Sequence, residues 1–328
     1  MSTPDRIGTI REAINETLRE EMQRDPTIIM MGEDIGVAGG VFKVTAGLLQ
    51  EFGPGRVYDT PIAEAGIMGL AVGAAITGLR PIVEIMFSDF TTLASDQLVN
   101  QAAKLRYMTG GQTKVPLVVR TAMSASRRAA AQHSQSLHAW YCHIPGLKVV
   151  MPSTPADAKG LLRAAIRDDN PVVFLEDKMT YNQKGPIPAG DYVVPLGQAR
   201  IHRVGHHATL VCTSSMLYPC LEAADALHQA GIEVEVIDPR SLVPLDTETL
   251  VTSAVKTGHM LVVDEGYQNY GVTAEIAARV TEAAFDYLDE PVRRLGGADV
   301  PVPFAPSLED LTIPNAERII AIVKEMLA

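Results

Sequence analysis

Cysteine is scarce in this chain. Only Cys142, Cys212 and Cys220 occur in 328 residues, and no two form a Cys-x-x-Cys pair. That argues against a zinc ribbon or a Cys-ligated iron–sulfur cluster, and an odd, sparse count fits a reducing compartment. Positive charge is also short. The 28 Lys and Arg face 39 Asp and Glu, a net charge of −11, which argues against a partner made of nucleic acid or anionic membrane. A local basic patch is still allowed. Long apolar runs are missing too. The most apolar stretch, Gly66 to Leu79, stops at Arg80-Pro81 and is too short to span a bilayer. Met1 to Glu12 is polar and has no secretory apolar core. Together these absences predict a cytoplasmic protein. Apolar residues at 47% supply enough material for sizeable cores, and the length suits two domains.

Three nucleotide and nucleophile signatures are absent as well. Gly66, Gly69 and Gly73 do not have the spacing of a dinucleotide fingerprint, no P-loop is present, and no Gly-x-Ser-x-Gly elbow accompanies Ser134.

The patterns that are present alternate between helix and strand. Thr9 with Glu12 forms a capping-box signature, and Ile10, Ile14, Leu18 and Met22 repeat at every fourth position until Asp25-Pro26. Ile28 to Met31 then reads as a buried strand ending in Gly32-Glu33-Asp34. Gly66 to Thr77 reads as a buried small-residue helix, Pro81 to Phe87 as a strand, and Ser95 to Tyr107 as a helix. Val115 to Thr121, Leu147 to Met151 and Val172 to Leu175 read as strands, and Ala156 to Arg167 as a helix capped at Ser153-Thr154-Pro155. Glycine and proline punctuate Lys178 to Gly205. Beyond it come strands at Ala208 to Cys212, Ile232 to Ile237, Met260 to Val263 and Val292 to Leu295, with helices at Tyr218 to Ala230, Thr247 to Lys256 and Thr273 to Phe285. The expected fold is α/β in two domains, the first with a mostly parallel sheet and the second a further α/β series. The expected division is residues 1–185, a linker over 186–205, and residues 206–328.

Three local features carry possible chemistry. Glu64 opens an almost uncharged helix, where a carboxylate either profits from the helix dipole or holds a ligand nitrogen; the local sequence supports both. Phe87 and Phe90 flank Ser88-Asp89 at a strand end, which suits core packing or stacking of a heteroaromatic ring. His133 lies in the polar run Gln132-His133-Ser134-Gln135-Ser136, after a long loop at the carboxyl end of a strand. Ligands bind at such ends in open α/β sheets, and a histidine there can exchange a proton near neutral pH, although most histidines are surface or packing residues.

Several longer motifs run in one order: Met31-Gly32-Glu33-Asp34, Gly39-Gly40-Val41-Phe42-Lys43-Val44-Thr45, Asp59-Thr60-Pro61-Ile62-Ala63-Glu64, Gln132-His133-Ser134-Gln135, Ile144-Pro145-Gly146-Leu147-Lys148-Val149-Val150, Pro152-Ser153-Thr154-Pro155 and Val300-Pro301-Val302-Pro303-Phe304. In this the chain resembles, over essentially its whole length, the β subunit of the thiamine-diphosphate-dependent E1 component of 2-oxo acid dehydrogenase complexes. Pyruvate, branched-chain and acetoin dehydrogenases share that subunit.

The resemblance implies a fold of a thiamine-diphosphate pyrimidine-binding domain followed by a transketolase C-terminal-like domain. It implies that Glu64 hydrogen-bonds N1′ of the aminopyrimidine, that Ile62 makes a backbone contact to the same ring, and that Phe90 stacks on it. It places His133 against the substrate and the lipoyl acceptor. It also implies a potassium ion in some members, at positions matching Val115, Leu117, Val118, Ala165, Asp168 and Asn170; Asp168-Asp169-Asn170 reads equally as a polar turn. The family holds magnesium and the diphosphate through a Gly-Asp-Gly motif on the α subunit, and no such motif occurs here. The implied partners are therefore an E1 α subunit in an α2β2 assembly and the lipoyl acyltransferase E2. The implied substrate is a 2-oxo acid or acetoin. A split transketolase is the alternative enzyme, and a non-catalytic scaffold the alternative of another class. The loop Thr121 to Ala131 looks more like acetoin-type members, whereas Gly39 to Thr45 looks pyruvate-like. Arg127 and Arg128 in that loop suit an anionic substrate, the α subunit or plain solvent.

Overall fold

A computed structural model describes residues 6–328. The first five residues of the polar stretch Met1 to Glu12 lie outside the described residues. The chain divides into two compact units: residues 6–123 with Trp140–Leu196, and Ser124–Ala139 with Gly197–Ala328.

The first unit contains strands β1 (Arg6–Thr9), β2 (Ile28–Gly32), β3 (Val57–Asp59), β4 (Arg80–Phe87), β5 (Val118–Met123), β6 (Lys148–Val150), β7 (Val172–Asp177) and β8 (Lys184–Ile187). Six of them form a parallel run in the order β6-β7-β5-β4-β2-β3. The helix Ile10–Arg24 packs on this sheet through its repeating stripe, since Ile10, Ile14, Leu18 and Met22 are all buried in one cluster with Ile28, Met30 and Phe174. Its start is the expected capping box. Thr9 Oγ1 accepts from the Glu12 amide at 3.2 Å, and the Thr9 amide donates to Glu12 at 2.6 Å. Thr154 likewise caps the helix Pro155–Arg167 by accepting from the Asp157 amide.

The second unit contains β9 (Arg200–Arg203), β10 (Ala208–Cys212), β11 (Val234–Asp238), β12 (Ser241–Val243), β13 (Met260–Tyr267) and β14 (Arg293–Gly297). Its five-stranded sheet has the order β14-β13-β10-β11-β9, parallel except for antiparallel β9. Alternate strand residues face two separate clusters. Leu210, Val236 and Leu261 pack with the helices Leu217–Gln229 and Ala316–Met326, while Val211, Ile237 and Val262 pack with Thr247–Thr257 and Val272–Ala284. A sheet buried on both faces explains the continuous apolar strands.

Residue 185 lies within β8, which pairs antiparallel with β1, and residues 186–205 run from the end of the first unit into β9 of the second. Two expectations need correction. Ser95 to Tyr107 is not one helix. A 3-10 turn covers Ser88–Ala94, a π-helical turn Gln97–Ala102, and an α-helix only Ala103–Met108. The helix Glu64–Ile76 buries Ile67, Met68, Ala71, Val72 and Ala75, but Gly66, Gly69 and Leu70 form an exposed face, with Leu70 at 68%. No described helix is long and apolar enough to cross a membrane.

Candidate active site

β2 lies between β3 and β4, all three parallel, so their carboxyl ends open on one edge of the first unit. Glu33 follows β2, Thr60 to Glu64 follow β3, and Phe90 follows β4. Open α/β sheets place ligands at such an edge. The segment after β2 is tied to the end of β3 because Asp59 accepts the Gly36 and Val37 amides at 2.6 and 3.3 Å. Gly39 and Gly40 then adopt φ of 72° and 77°, and a Cβ on Gly39 would meet Ala46 Cα at 2.8 Å. Buried Thr45 donates to the Ile35 carbonyl at 2.7 Å and closes this loop.

Glu64 is the first residue of its helix and only 6% exposed. Among the described residues, no hydrogen bond reaches its carboxylate. A buried acid at a helix N-terminus, short of a donor, suits a ligand that brings a protonated ring nitrogen. Glu33 has its carboxyl pushed above the usual range, chiefly by burial and further by the negative charges of Glu64 and Asp34. The strand-end position of Glu33 was visible in the sequence, but the influence of the Glu64 charge on it depends on β2 and β3 being neighbours. Ile62 precedes the helix and is 83% exposed. Phe90 stands edge-on to Phe87, with ring centroids 5.6 Å apart at 85°. Phe87 packs in turn on Phe42, and Phe42 stacks on Tyr181. Beneath this aromatic series Arg120 grips Glu176 with two bonds of 2.7 and 2.8 Å and Glu84 with one of 2.7 Å, while Tyr181 donates to Glu176 at 2.7 Å. The sequence reading did not single out that buried network.

His133 belongs to the second unit, in the stretch Ser124–Ala139. It is half-buried, and its amide donates to the Ala130 carbonyl at 3.3 Å. Ser124, Ser126, Arg128 and Ala130 all have left-handed φ, between 56° and 93°. Each such residue costs about 1–2 kcal/mol, so the loop is held by its surroundings. Arg128 does not face solvent freely; its guanidinium bonds Glu309 at 2.6 Å and Asp310 at 2.7 Å. Past His133, Ser136 donates to Glu265, and His138 Nε2 lies 2.9 Å from Asp264. Burial raises the Asp264 carboxyl, but His138, Thr213 and the Gly266 amide more than offset it and hold it below the usual range. His138 and Asp264 were not singled out from the sequence as a pair, because 126 residues separate them.

Residues 8–184 match the family described as Transketolase, pyrimidine binding domain, and residues 197–319 match Transketolase, C-terminal domain. The pyruvate dehydrogenase E1 component subunit beta of Rhizobium meliloti (strain 1021) is 51% identical over 96% of this chain and 69% of that protein. The acetoin:2,6-dichlorophenolindophenol oxidoreductase subunit beta of Bacillus subtilis (strain 168) is 48% identical over 98% of both. The chain belongs to the E1 β-subunit family. A solved structure titled "Split gene transketolase, inactive beta4 tetramer" shares the fold at a TM-score of 0.80 and 24% identity, covering 98% of this chain and 99% of that one.

In this E1 β-family chain the positions implied for potassium gather at one corner of the first unit, but their oxygens are largely engaged. The Asp168 carboxylate takes Lys148 and both nitrogens of Asn170, and Asn170 Oδ1 accepts from Arg106 at 2.6 Å. The carbonyls of Val115, Leu117 and Ala165 accept from the Leu117, Val172 and Asp168 amides, while Val118 continues into β5. Three cationic side chains border the corner, since Arg80 also bonds the Asp168 carbonyl. Each of the Val115, Leu117 and Ala165 carbonyls accepts one N–H and keeps a second lone pair, and no step below passes through a cation.

Proposed function

We propose that the chain is the β subunit of a thiamine-diphosphate-dependent E1 enzyme and works with an α subunit in an α2β2 assembly, in the cytoplasm. Together they cleave the carbon–carbon bond next to a carbonyl in a 2-oxo acid or acetoin, and the acyl group passes to lipoyl-E2. The observation that carries this reading is Glu64: a largely buried residue whose carboxylate has no protein donor among the described residues, at the position the resemblance assigns to the pyrimidine-binding glutamate. Magnesium and the diphosphate belong to the α subunit in this reading.

The cofactor, when bound, supplies a carbanion at its thiazolium ring and an electron sink for the substrate carbon. This chain supplies the surroundings. Glu64 holds a proton against the pyrimidine nitrogen and so sets which tautomer the ring adopts. Glu33, whose carboxyl is raised chiefly by burial and further by the charges of Glu64 and Asp34, adds a second acid to this edge of the sheet. Phe90 offers a ring face braced by Phe87, and the exposed backbone at Ile62 offers polar groups to the same ring. His133 exchanges a proton with the substrate or the lipoyl acceptor.

Mixing the chain with an α subunit and measuring cofactor-dependent acyl transfer tests the reading. Pyruvate, branched-chain 2-oxo acids and acetoin are the donors to compare, with lipoyl-E2 and a sugar as rival acceptors. Transfer to lipoyl-E2 that disappears in Glu64→Gln is expected. Transfer to the sugar instead points to a split transketolase, and undiminished turnover by Glu64→Gln removes the proposed role of Glu64.

A further inference from the structure

We propose that Glu309 is a positioning residue for His133, acting through the left-handed loop that carries it. The inference rests on the proposed role of His133. Glu309 ends the short helix Pro306–Glu309, and it is 0% exposed. Its carboxylate receives the Ser126 amide at 2.8 Å, the Arg128 amide at 3.3 Å and the Arg128 guanidinium at 2.6 Å. Left-handed residues at alternate positions turn backbone N–H groups toward a common point, which is the geometry of an anion-binding nest. Here the anion is a side chain of the same unit, 181 residues later than Arg128.

Four residues lie between Arg128 and His133, and the turn from Ala130 to His133 is closed by the backbone bond between them. On the far side the chain is fixed again, by Ser136 on Glu265 and by His138 on Asp264. His133 therefore rides on a short span between two acidic anchors. Glu309 is the anchor on the strained side, where the chain has least reason of its own to hold its shape. Arg128 adds a second grip through Asp310, but that bond is exposed and leaves the Ser126 and Arg128 amides dependent on Glu309. A displacement of about 1 Å in a catalytic group lowers turnover by about 100-fold. Loss of this anchor is expected to act on His133 and not on the cofactor.

The test uses the full chain assembled with its α subunit. Glu309→Ala, the near-isosteric Glu309→Gln, His133→Ala and the double variant with Glu309→Ala are compared. Glu309→Ala is expected to lower single-turnover acyl transfer by about 10-fold to 100-fold, with the thiamine diphosphate dissociation constant unchanged. Glu309→Gln is expected to fall between, since its amide oxygen still accepts an N–H but the charge facing Arg128 is gone. The double variant is expected to be no slower than His133→Ala, because both changes remove one function. Faster amide hydrogen exchange in residues 124–139 of either Glu309 variant is expected alongside. Full activity in Glu309→Ala, an additive loss in the double variant, or weakened cofactor binding overturns the positioning role. If His133→Ala itself transfers acyl groups normally, the role of His133 fails first, and a change in exchange then reports the anchor without the chemistry.

Discussion

The Arg120 network makes a stability prediction that can be worked through. Arg120 is buried and holds Glu176 by two bonds and Glu84 by a third. Arg120→Met keeps much of the side-chain volume but leaves two carboxylates facing each other without their cation. Removing one partner from a buried ion pair costs about 3–5 kcal/mol, far more than an exposed pair is worth. At about 2–4 °C per kcal/mol for a unit of this size, the unfolding midpoint near pH 7 should fall by roughly 6–20 °C. The pH dependence has a definite sign. Burial already raises the Glu176 carboxyl, Arg120 opposes the rise, and Glu84 adds to it. Without Arg120 the folded-state value climbs further. A carboxyl raised on folding contributes stability that is fully present below its unfolded value and is lost as pH rises through the folded one. The deficit of the variant should therefore shrink as pH falls from 7 toward about 4.5. Thermal unfolding by circular dichroism across that range is the assay. A midpoint within about 2 °C of the wild type at pH 7, or a deficit that widens on acidification, refutes the reasoning.

Other predictions are simpler to run. Glu64→Gln should abolish nearly all turnover while leaving the assembly intact on size-exclusion chromatography, and it should lower the Glu33 carboxyl toward its ordinary value in a carbon-13 NMR titration; an unmoved Glu33 would show that the two acids do not sense each other. His133→Ala should spare cofactor binding and impair acyl transfer, read in rapid-quench experiments. Thr9→Ala should cost about 1 kcal/mol of stability by removing the cap on the first helix, measured by urea denaturation.

Much of the fold was legible in the sequence wherever local chemistry and burial agree. The Thr9 capping box, the Ile10-Ile14-Leu18-Met22 stripe and the apolar strands were readable because caps act within four residues and buried sheets leave no polar face. The strands β1, β3, β8, β9 and β12 were not read, because short edge pairings carry too few residues to show a period. Ser95 to Tyr107 reads as one helix because apolar spacing cannot distinguish α from π or 3-10 turns. Among the proposed site residues, Glu64 announced itself by standing alone in an uncharged helix. That Glu33 senses the Glu64 charge followed only from strand order. The holds of Glu309 on the Arg128 loop and of Asp264 on His138 were missed for a similar reason: each joins residues more than a hundred positions apart, and nothing in the local sequence distinguishes a clamp from a surface charge.

The chain enters the second unit twice, once at Ser124 for sixteen residues and again at Gly197 for good. A gene cut between residues 196 and 197 would thus give no pair of self-sufficient halves. The front fragment would carry the histidine loop without the acids that shape it, and the rear fragment would keep a shaped seat with nothing to occupy it. An exchange of the histidine loop between relatives should therefore move residues 124–139 and the Pro306–Asp310 turn as a single cassette.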